Sequence, residues 1–407
     1  MRIAAALALG AALFVLPVAS QNKSAISGHA RRLHFSSIVV DTHDDTTQRL
    51  YWEHFDLATR SNVGQIDIPR MRQGGLSAIF FSIWSPGTLT GGAGVQRALD
   101  LIDSVREQVR RHPRDLALAG TAADVRRAHT VGKIAVLMGL EGGHMIADDL
   151  GVLRLYYSLG VRYMTLTHEI DTDWADSSTD KPIHNGLTPF GKQVVLEMNR
   201  LGMLVDISHV SDKTFWDAIA TSKAPMIASH SSCRALCDAP RNMTDDMIKA
   251  LATHGGVIQI NYHVGFLSQA YRNAANKIAP EIAAADKKAD QACGKDLACE
   301  VYAEARVSDQ LTREGKLPVV GWEEIVKHID HAVKLVGADH VGLGSDFDGS
   351  ILPAGMQDAT HLPQITQALL DRGYSDADIQ KILGGNTLRV LERAEAVSRE
   401  MQAAGEK

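Results

Sequence analysis

One repeated alternation limits what this chain can become. Short runs of Val, Ile and Leu, each too short for a buried helix, recur between amphipathic helical stretches. Eight such runs stand out: "SIVVDTH", "AIFFSIW", "KIAVLMGLEGG", "YMTLTH", "MLVDISHV", "PMIASH", "GVIQINYH" and "HVGLGSDFDG". Continuously apolar runs suit strands covered on both faces, whereas a half-exposed strand would alternate. Helical periodicity falls between them, at 95–111, 147–159, 187–201, 212–220, 243–254 and 321–336. Eight strand–helix alternations predict an α/β fold, a (β/α)8 TIM barrel, with a doubly wound open sheet as the competing arrangement. A polar, Ala- and Lys-rich stretch, about 268–316, precedes the eighth strand and reads as a helical insertion. The tail from about 361 reads as closing helices, so residues 21–407 are expected to form one domain.

A net charge of −6 and the lack of any basic block argue against a nucleic-acid or anionic-membrane partner. Residues 1–20, "MRIAAALALGAALFVLPVAS", combine one arginine, an apolar run and small residues. This predicts a signal peptide cut after Ala19 or Ser20. The run is short for a spanning helix, so the mature chain is expected to be exported, periplasmic or extracellular, with no stable membrane insertion. That compartment permits disulfides. Cys293 and Cys299, in "ACGKDLACE", are placed to close a local bridge; Cys233 and Cys237 either pair or stay as buried thiols. Neither spacing is a zinc-finger pattern.

Polar residues collect at one end of the strands. His43 and Asp45 end the first, Glu141 the third, His168 the fourth, His209 the fifth, His230 the sixth and Asp346 the eighth. Each follows its apolar run, so in a closed parallel barrel all converge on the mouth where active sites of this fold lie. Imidazoles and carboxylates without cysteine suit zinc or a similar divalent ion. His43 and Asp45, two apart, share a strand face and can reach one ion, while Asp44 points away. Glu141, flanked by Gly142 and Gly143, can bridge to a second ion on His209 and His230. Two ions so placed would hold a hydroxide as nucleophile.

Other polar residues are assigned lesser parts. Asp41 shares the His43 face but lies deeper, and is read as orienting a ligand. Asp348 shares the face of Asp346 and rivals it. His144, His328 and His331 are expected in supporting or surface roles. Phe80, Phe81 and Trp84 are read as core, and Tyr262 stays open between core and pocket wall.

The segments "DTHDD", "GLEGGH", "YMTLTH", "GLTPFGKQVVLEMNRLGMLVDISHVS", "SHSS…APRN", "HVGLGSDFDG" and "GGNTLRV" resemble, in order, the membrane (renal-type) dipeptidase family, metallopeptidase family M19. The resemblance runs from about Ile38 to Arg393. It implies a barrel of the metal-dependent hydrolase type, two zinc ions, dipeptide substrates and a homodimer. It makes His43 and Asp45 ligands of one zinc, Glu141 the bridge, and His209 with His230 ligands of the other. It further implies that His168 polarises the scissile carbonyl, that Arg241 clamps the substrate carboxylate, and that Asp346 meets the amino group and handles the proton. Thr42, Asp44 and Asp171 depart from the residues common in that family, and the 268–316 insertion lies where a lid could form. These departures bear on specificity, that is, on which substrate amino or side-chain groups are favoured; the expected substrates extend to L,D-dipeptides. Two competing readings are an amidohydrolase acting on N-acyl amino acids or β-lactams, and a non-catalytic metal-dependent binding protein.

Overall fold

The computed structural model describes residues 26–405, so the leader reading for 1–20 lies outside the described residues. Nine strands form one parallel sheet: β1 (Val39–Asp44), β2 (Leu76–Trp84), β3 (Leu116–Leu118), β4 (Ile134–Glu141), β5 (Val161–Thr165), β6 (Leu204–Asp206), β7 (Ile227–Ser231), β8 (Val257–Ile260) and β9 (Val341–Leu343). Eight of them neighbour one another in the order β1-β2-β4-β5-β6-β7-β8-β9. The cycle then nearly closes. Asp44 bridges to Phe347, Asp45 N–H donates to Phe347 O (2.8 Å), and Asp346 N–H donates to His43 O (3.1 Å). An open doubly wound sheet would leave these edges apart. The strand missed in the sequence is β3, which pairs with the start of β4; three residues are too few to show a periodicity.

Strand side chains divide between two cores, as alternation demands. Val40, Ala78, Phe80, Leu137 and Tyr163 face the barrel interior. Val39, Ile79, Phe81, Val136 and Met138 pack under the surrounding helices. The helix Asn386–Ala403 sends Leu388, Leu391 and Ala394 into the interior cluster, against residues such as Leu204, Ile227 and Val257 that begin their strands. The strand starts are thereby stoppered and the strand ends left as the working mouth. Turn chemistry follows the sequence: Thr188 caps the helix Pro189–Leu201 by accepting from Gly191 N–H, and Gly202 (φ 82°) ends it.

The insertion is three helices, Gln269–Lys277, Ala279–Cys293 and Leu297–Arg313. A Cys293–Cys299 disulfide closes the turn between the last two. The third helix is tied down twice: Tyr271 OH meets Ser308 Oγ (2.8 Å), and Tyr302 OH donates to Asp348 Oδ1 (3.2 Å). Cys233 and Cys237 are buried thiols and do not pair. His328 is a buried pin rather than a surface residue. Its Nδ1 accepts from Cys233 N–H (3.0 Å) and its Nε2 donates to Leu267 O (3.1 Å). His331 pairs with Asp245 (2.8 Å). Among the described residues no helix is long and apolar enough to cross a membrane.

Candidate metal centre

The barrel mouth gathers the predicted set around Glu141, the last residue of β4. Its two oxygens face different partners. Oε2 lies 3.3 Å from His43 Nε2, which is 3.6 Å from Asp45 Oδ2. Oε1 lies 3.0 Å from His209 Nε2, 3.1 Å from His230 Nε2 and 3.7 Å from His168 Nε2. Two residues reach their places through backbone that side chains resist. His209 (φ 66°) and Asp346 (φ 63°) are left-handed, which costs on the order of 1–3 kcal/mol each and persists only where surroundings impose it. Gly142, following Glu141, holds φ 117°, and a Cβ there would meet the His144 ring at 2.6 Å.

Behind the mouth, two of the imidazoles, those of His43 and His230, are oriented through their far nitrogens. His43 Nδ1 meets Tyr163 OH at 2.7 Å. Tyr163 spans the barrel because Gly139 opposes it; any Cβ at 139 would strike the phenol ring. His230 Nδ1 meets Ser229 Oγ (2.7 Å), whose hydroxyl donates to Asp206 Oδ2 (2.6 Å). With its far nitrogen donating to Ser229 Oγ, His230 turns its Nε2 lone pair towards Glu141, and the Nε2 edge of His43 faces the same carboxylate. Ser82 Oγ donates to Glu141 Oε2 (3.0 Å). Asn261 Nδ2 donates to Asp346 Oδ2 (2.9 Å). Asp41 Oδ1 accepts from Ser345 N–H (2.8 Å), steadying the segment that leads to Asp346.

Several buried atoms in this cluster have no hydrogen-bond partner: His43 Nε2, Asp45 Oδ1 and His209 Nδ1 among them. Leaving such groups unpaired is costly. Burial opposes ionisation of Glu141, yet the surrounding imidazoles, His43 and His168 foremost, hold it well below the usual carboxylate range. Burial, with the nearby Arg241 and other imidazoles, pushes His209 and His230 well below the ordinary histidine value. An ionised carboxylate beside the neutral imidazoles of His209 and His230 is the kind of donor set a divalent cation requires. Three triplets of donor atoms, each within 4.8 Å, occur here: His43, Glu141, His230; Glu141, His168, His209; and His43, Asp45, Asp346. The residues therefore fit a metal centre, with His168 and Asp346 themselves members of these triplets.

A cavity of about 470 Å³ opens over this cluster. Arg241, 5 % exposed, reaches its wall, with Nη1 donating to Ser231 Oγ (3.0 Å) and Nη2 to His230 O (2.9 Å). Burial pulls the guanidinium down to about 10, against the pull of Asp346 and Glu141. Trp84, expected in the core, lines the cavity instead; the strand emerges at the mouth just there, so its last residue faces ligand space. Phe80 and Phe81 are core. Tyr262 is fully buried, edge-on to Phe347, and is not part of the wall. Asp348 is turned away, accepting from Thr46 Oγ1 (2.5 Å) and Gln65 N–H (2.6 Å). Asp44 is buried beside it, accepting from Thr46 N–H (3.1 Å). Asp171 accepts from Ser177 N–H (2.6 Å) and does not reach the cavity. His144 is buried against Ser85 (3.1 Å).

Sequence reasoning missed Tyr163, Asp206, Ser229 and Asn261. A lone acid inside the apolar "MLVDI" was the available signal for Asp206, since an unpaired buried carboxylate is too costly to be idle. His263, Phe266 and the insertion residues of the wall, among them Leu297, gave no such signal.

Comparison with known proteins agrees with this geometry. The family model described as "Membrane dipeptidase (Peptidase family M19)" matches residues 28–405. The dipeptidase aclJ of Aspergillus oryzae is 34 % identical over 380 residues, covering 89 % of this chain and 79 % of that protein. The crystal structure of the probable dipeptidase PvdM of Pseudomonas aeruginosa superposes with a TM-score of 0.77 at 29 % identity, covering 91 % of this chain and 98 % of the other. A metallopeptidase of Rhodobacter sphaeroides, liganded with a phosphinate mimic of the dipeptide L-Ala-D-Ala, gives 0.70 at 26 % identity, covering 88 % and 99 %.

Proposed function

The chain belongs to the membrane dipeptidase family, peptidase family M19, and on that premise we propose that it is an exported, two-zinc dipeptidase that accepts L,D- as well as L,L-dipeptides. The observation that carries this reading is the division of Glu141: one oxygen towards His43 and Asp45, the other towards His209 and His230. One carboxylate serving two donor sets is the chemistry of a bridging ligand. The ligand of the Rhodobacter relative supports the L,D part. The Cys293–Cys299 bridge supports export, since such bonds persist in oxidising compartments.

Zinc held by His43, Asp45, Glu141, His209 and His230 would act as Lewis acid towards the scissile carbonyl and acidify the attacking water. The remaining steps fall to this chain's own side chains. Arg241, fixed by Ser231 Oγ and His230 O, offers a preset fork to the C-terminal carboxylate. Asp346, steered by Asn261, receives the free amino group. Burial pushes Asp346 up to about 6, with Asp45 and Glu141 adding to the rise and His43 opposing it, and a carboxyl poised there can move protons near neutral pH. Asp346 takes the proton of the attacking water and returns it to the amide nitrogen as the C–N bond breaks. His168 donates to the oxyanion that forms meanwhile. Clamping both termini selects dipeptides, because a longer chain would leave a charge unpaired inside the cavity.

Hydrolysis of a panel of L,L- and L,D-dipeptides, with chelation and zinc add-back, tests this. Activity is expected to vanish with chelator and return with zinc; hydrolysis indifferent to chelation would overturn the reading.

A further inference from the structure

A metal ligand must present a lone pair, and a neutral imidazole has one only on the nitrogen that lacks the proton. Which nitrogen that is depends on the hydrogen bond made by the other. For His230 that bond runs to Ser229 Oγ, 2.7 Å from Nδ1. A hydroxyl can accept from Nδ1 or donate to it, so Ser229 by itself leaves the choice open.

Asp206 closes it. Its side chain is fully buried and accepts at every contact. Oδ1 receives the backbone N–H of Ser208 (3.0 Å) and that of Ser229 (2.8 Å). Oδ2 receives the hydroxyls of Thr165 (2.5 Å) and Ser229 (2.6 Å). With its single hydrogen given to Asp206, Ser229 Oγ has only lone pairs to turn towards the ring. Nδ1 therefore carries the proton, and Nε2 keeps its lone pair 3.1 Å from Glu141 Oε1. Ser208 Oγ, at 3.4 Å, is the poorer alternative for the Ser229 hydroxyl and already accepts from His230 N–H (3.1 Å). Thr165 ends β5, Asp206 ends β6 and Ser229 lies in β7, so three neighbouring strands hold the relay.

We propose that Asp206 is a positioning residue of the metal centre: through Ser229 it fixes the tautomer of His230 and keeps the Nε2 lone pair available to the ion. The inference rests on the reading of His230 as a metal ligand.

Asp206→Asn would reverse the relay. The two backbone N–H groups cannot turn, so the amide oxygen takes the Oδ1 place and the amide NH2 the Oδ2 place. There it donates to Ser229 Oγ, whose hydrogen swings to His230 Nδ1. The ring proton then sits on Nε2, where the ion would bind. Ser229→Ala removes the relay without reversing it.

Two measurements test this. In zinc-free protein at neutral pH, long-range nitrogen–proton correlation spectra of labelled histidines are expected to show His230 protonated on Nδ1, and on Nε2 in Asp206→Asn. Competition titration against a chromophoric chelator should show the weaker-held zinc bound about 100-fold less tightly in Asp206→Asn and about tenfold less in Ser229→Ala. The double variant should bind zinc about as well as Ser229→Ala alone, because without the hydroxyl there is no hydrogen to misdirect. A merely structural Asp206 would instead make the two losses multiply. A proton on Nε2 in the unmutated protein, or a double variant that binds no tighter than Asp206→Asn, would overturn the relay while leaving the metal centre intact. The spectrum of the unmutated protein decides even if Asp206→Asn does not fold. Unmutated protein that takes up no zinc would overturn the metal reading as well.

Discussion

His209 Nε2 and His230 Nε2 lie 3.0 Å apart, each within 3.1 Å of the same oxygen of Glu141. The His230 ring has its other nitrogen engaged by Ser229, so two imidazole edges and a carboxylate oxygen converge with more lone pairs than protons. Such an arrangement is repulsive until a cation enters it.

Metal should therefore be part of the fold's stability as well as its activity. Chelated protein is expected to melt several degrees below the zinc-loaded form, since a ligand bound only by the native state stabilises by mass action. Calorimetry with and without zinc, alongside metal analysis expecting about two ions per chain, checks this. Equal melting temperatures would contradict it.

Tyr163 should act through His43. Its hydroxyl fixes the ring from behind at 2.7 Å, so Tyr163→Phe is expected to weaken zinc affinity by about 10–100-fold. Activity should recover at high zinc. A competition titration against a chromophoric chelator measures the shift.

Arg241→Lys should lower kcat/KM by about 100-fold, because one ammonium cannot both hold the Ser231 and His230 contacts and present a fork to a carboxylate. A dipeptide with its C-terminus amidated should be a poor substrate for the native enzyme and lose little further in the variant. If the two losses simply add, the carboxylate clamp is not Arg241.

Asp346→Asn separates the two hydrolase readings. Dipeptide hydrolysis should fall by about 100-fold or more as the proton carrier is lost. N-acyl amino acids, which lack a free amine, should be poor substrates before and after the change. An N-acyl substrate cleaved well by both forms would favour the amidohydrolase alternative.

Acid should unfold the chelated protein early. His34 donates to Gly74 O (2.7 Å) and meets Thr366 Oγ1 (2.8 Å); His328 bridges Cys233 N–H and Leu267 O. Burial pushes both from the ordinary 6.5 down to about 4. Above pH 6.5 both states leave these rings neutral. Between 6.5 and 4 the unfolded chain binds protons that the folded one refuses, so stability falls as pH falls. The loss amounts to up to about 3 kcal/mol per histidine. Urea midpoints from pH 7.5 to 4.5 should decline accordingly, and a flat profile would count against the two buried rings.

Much of this was legible in the sequence for a specific physical reason. Buried parallel strands advertise themselves as unbroken apolar runs, and a charged residue ending such a run, as Glu141 does, has to be accounted for. What stayed hidden was whatever depends on long-range contact. Tyr163 reads as one more strand aromatic until Gly139 is seen to clear its path to His43. The β3 strand is too short to carry a pattern, and His328 becomes a pin only when helix and loops are packed together. Glu300 and Glu304 look like any solvated helix face until that face is turned into the cavity.

The Tyr302–Asp348 hydrogen bond joins the insertion to the loop two residues past Asp346. Part of the cavity wall and Asp346 are thus mechanically one piece, although the residues are distant in sequence. The insertion is not an interchangeable module: transplanting it between relatives without both members of that pair would disturb the acid's position along with the pocket's shape. Selectivity and turnover would change together in such chimaeras, and restoring the tyrosine–aspartate pair is the repair to try first.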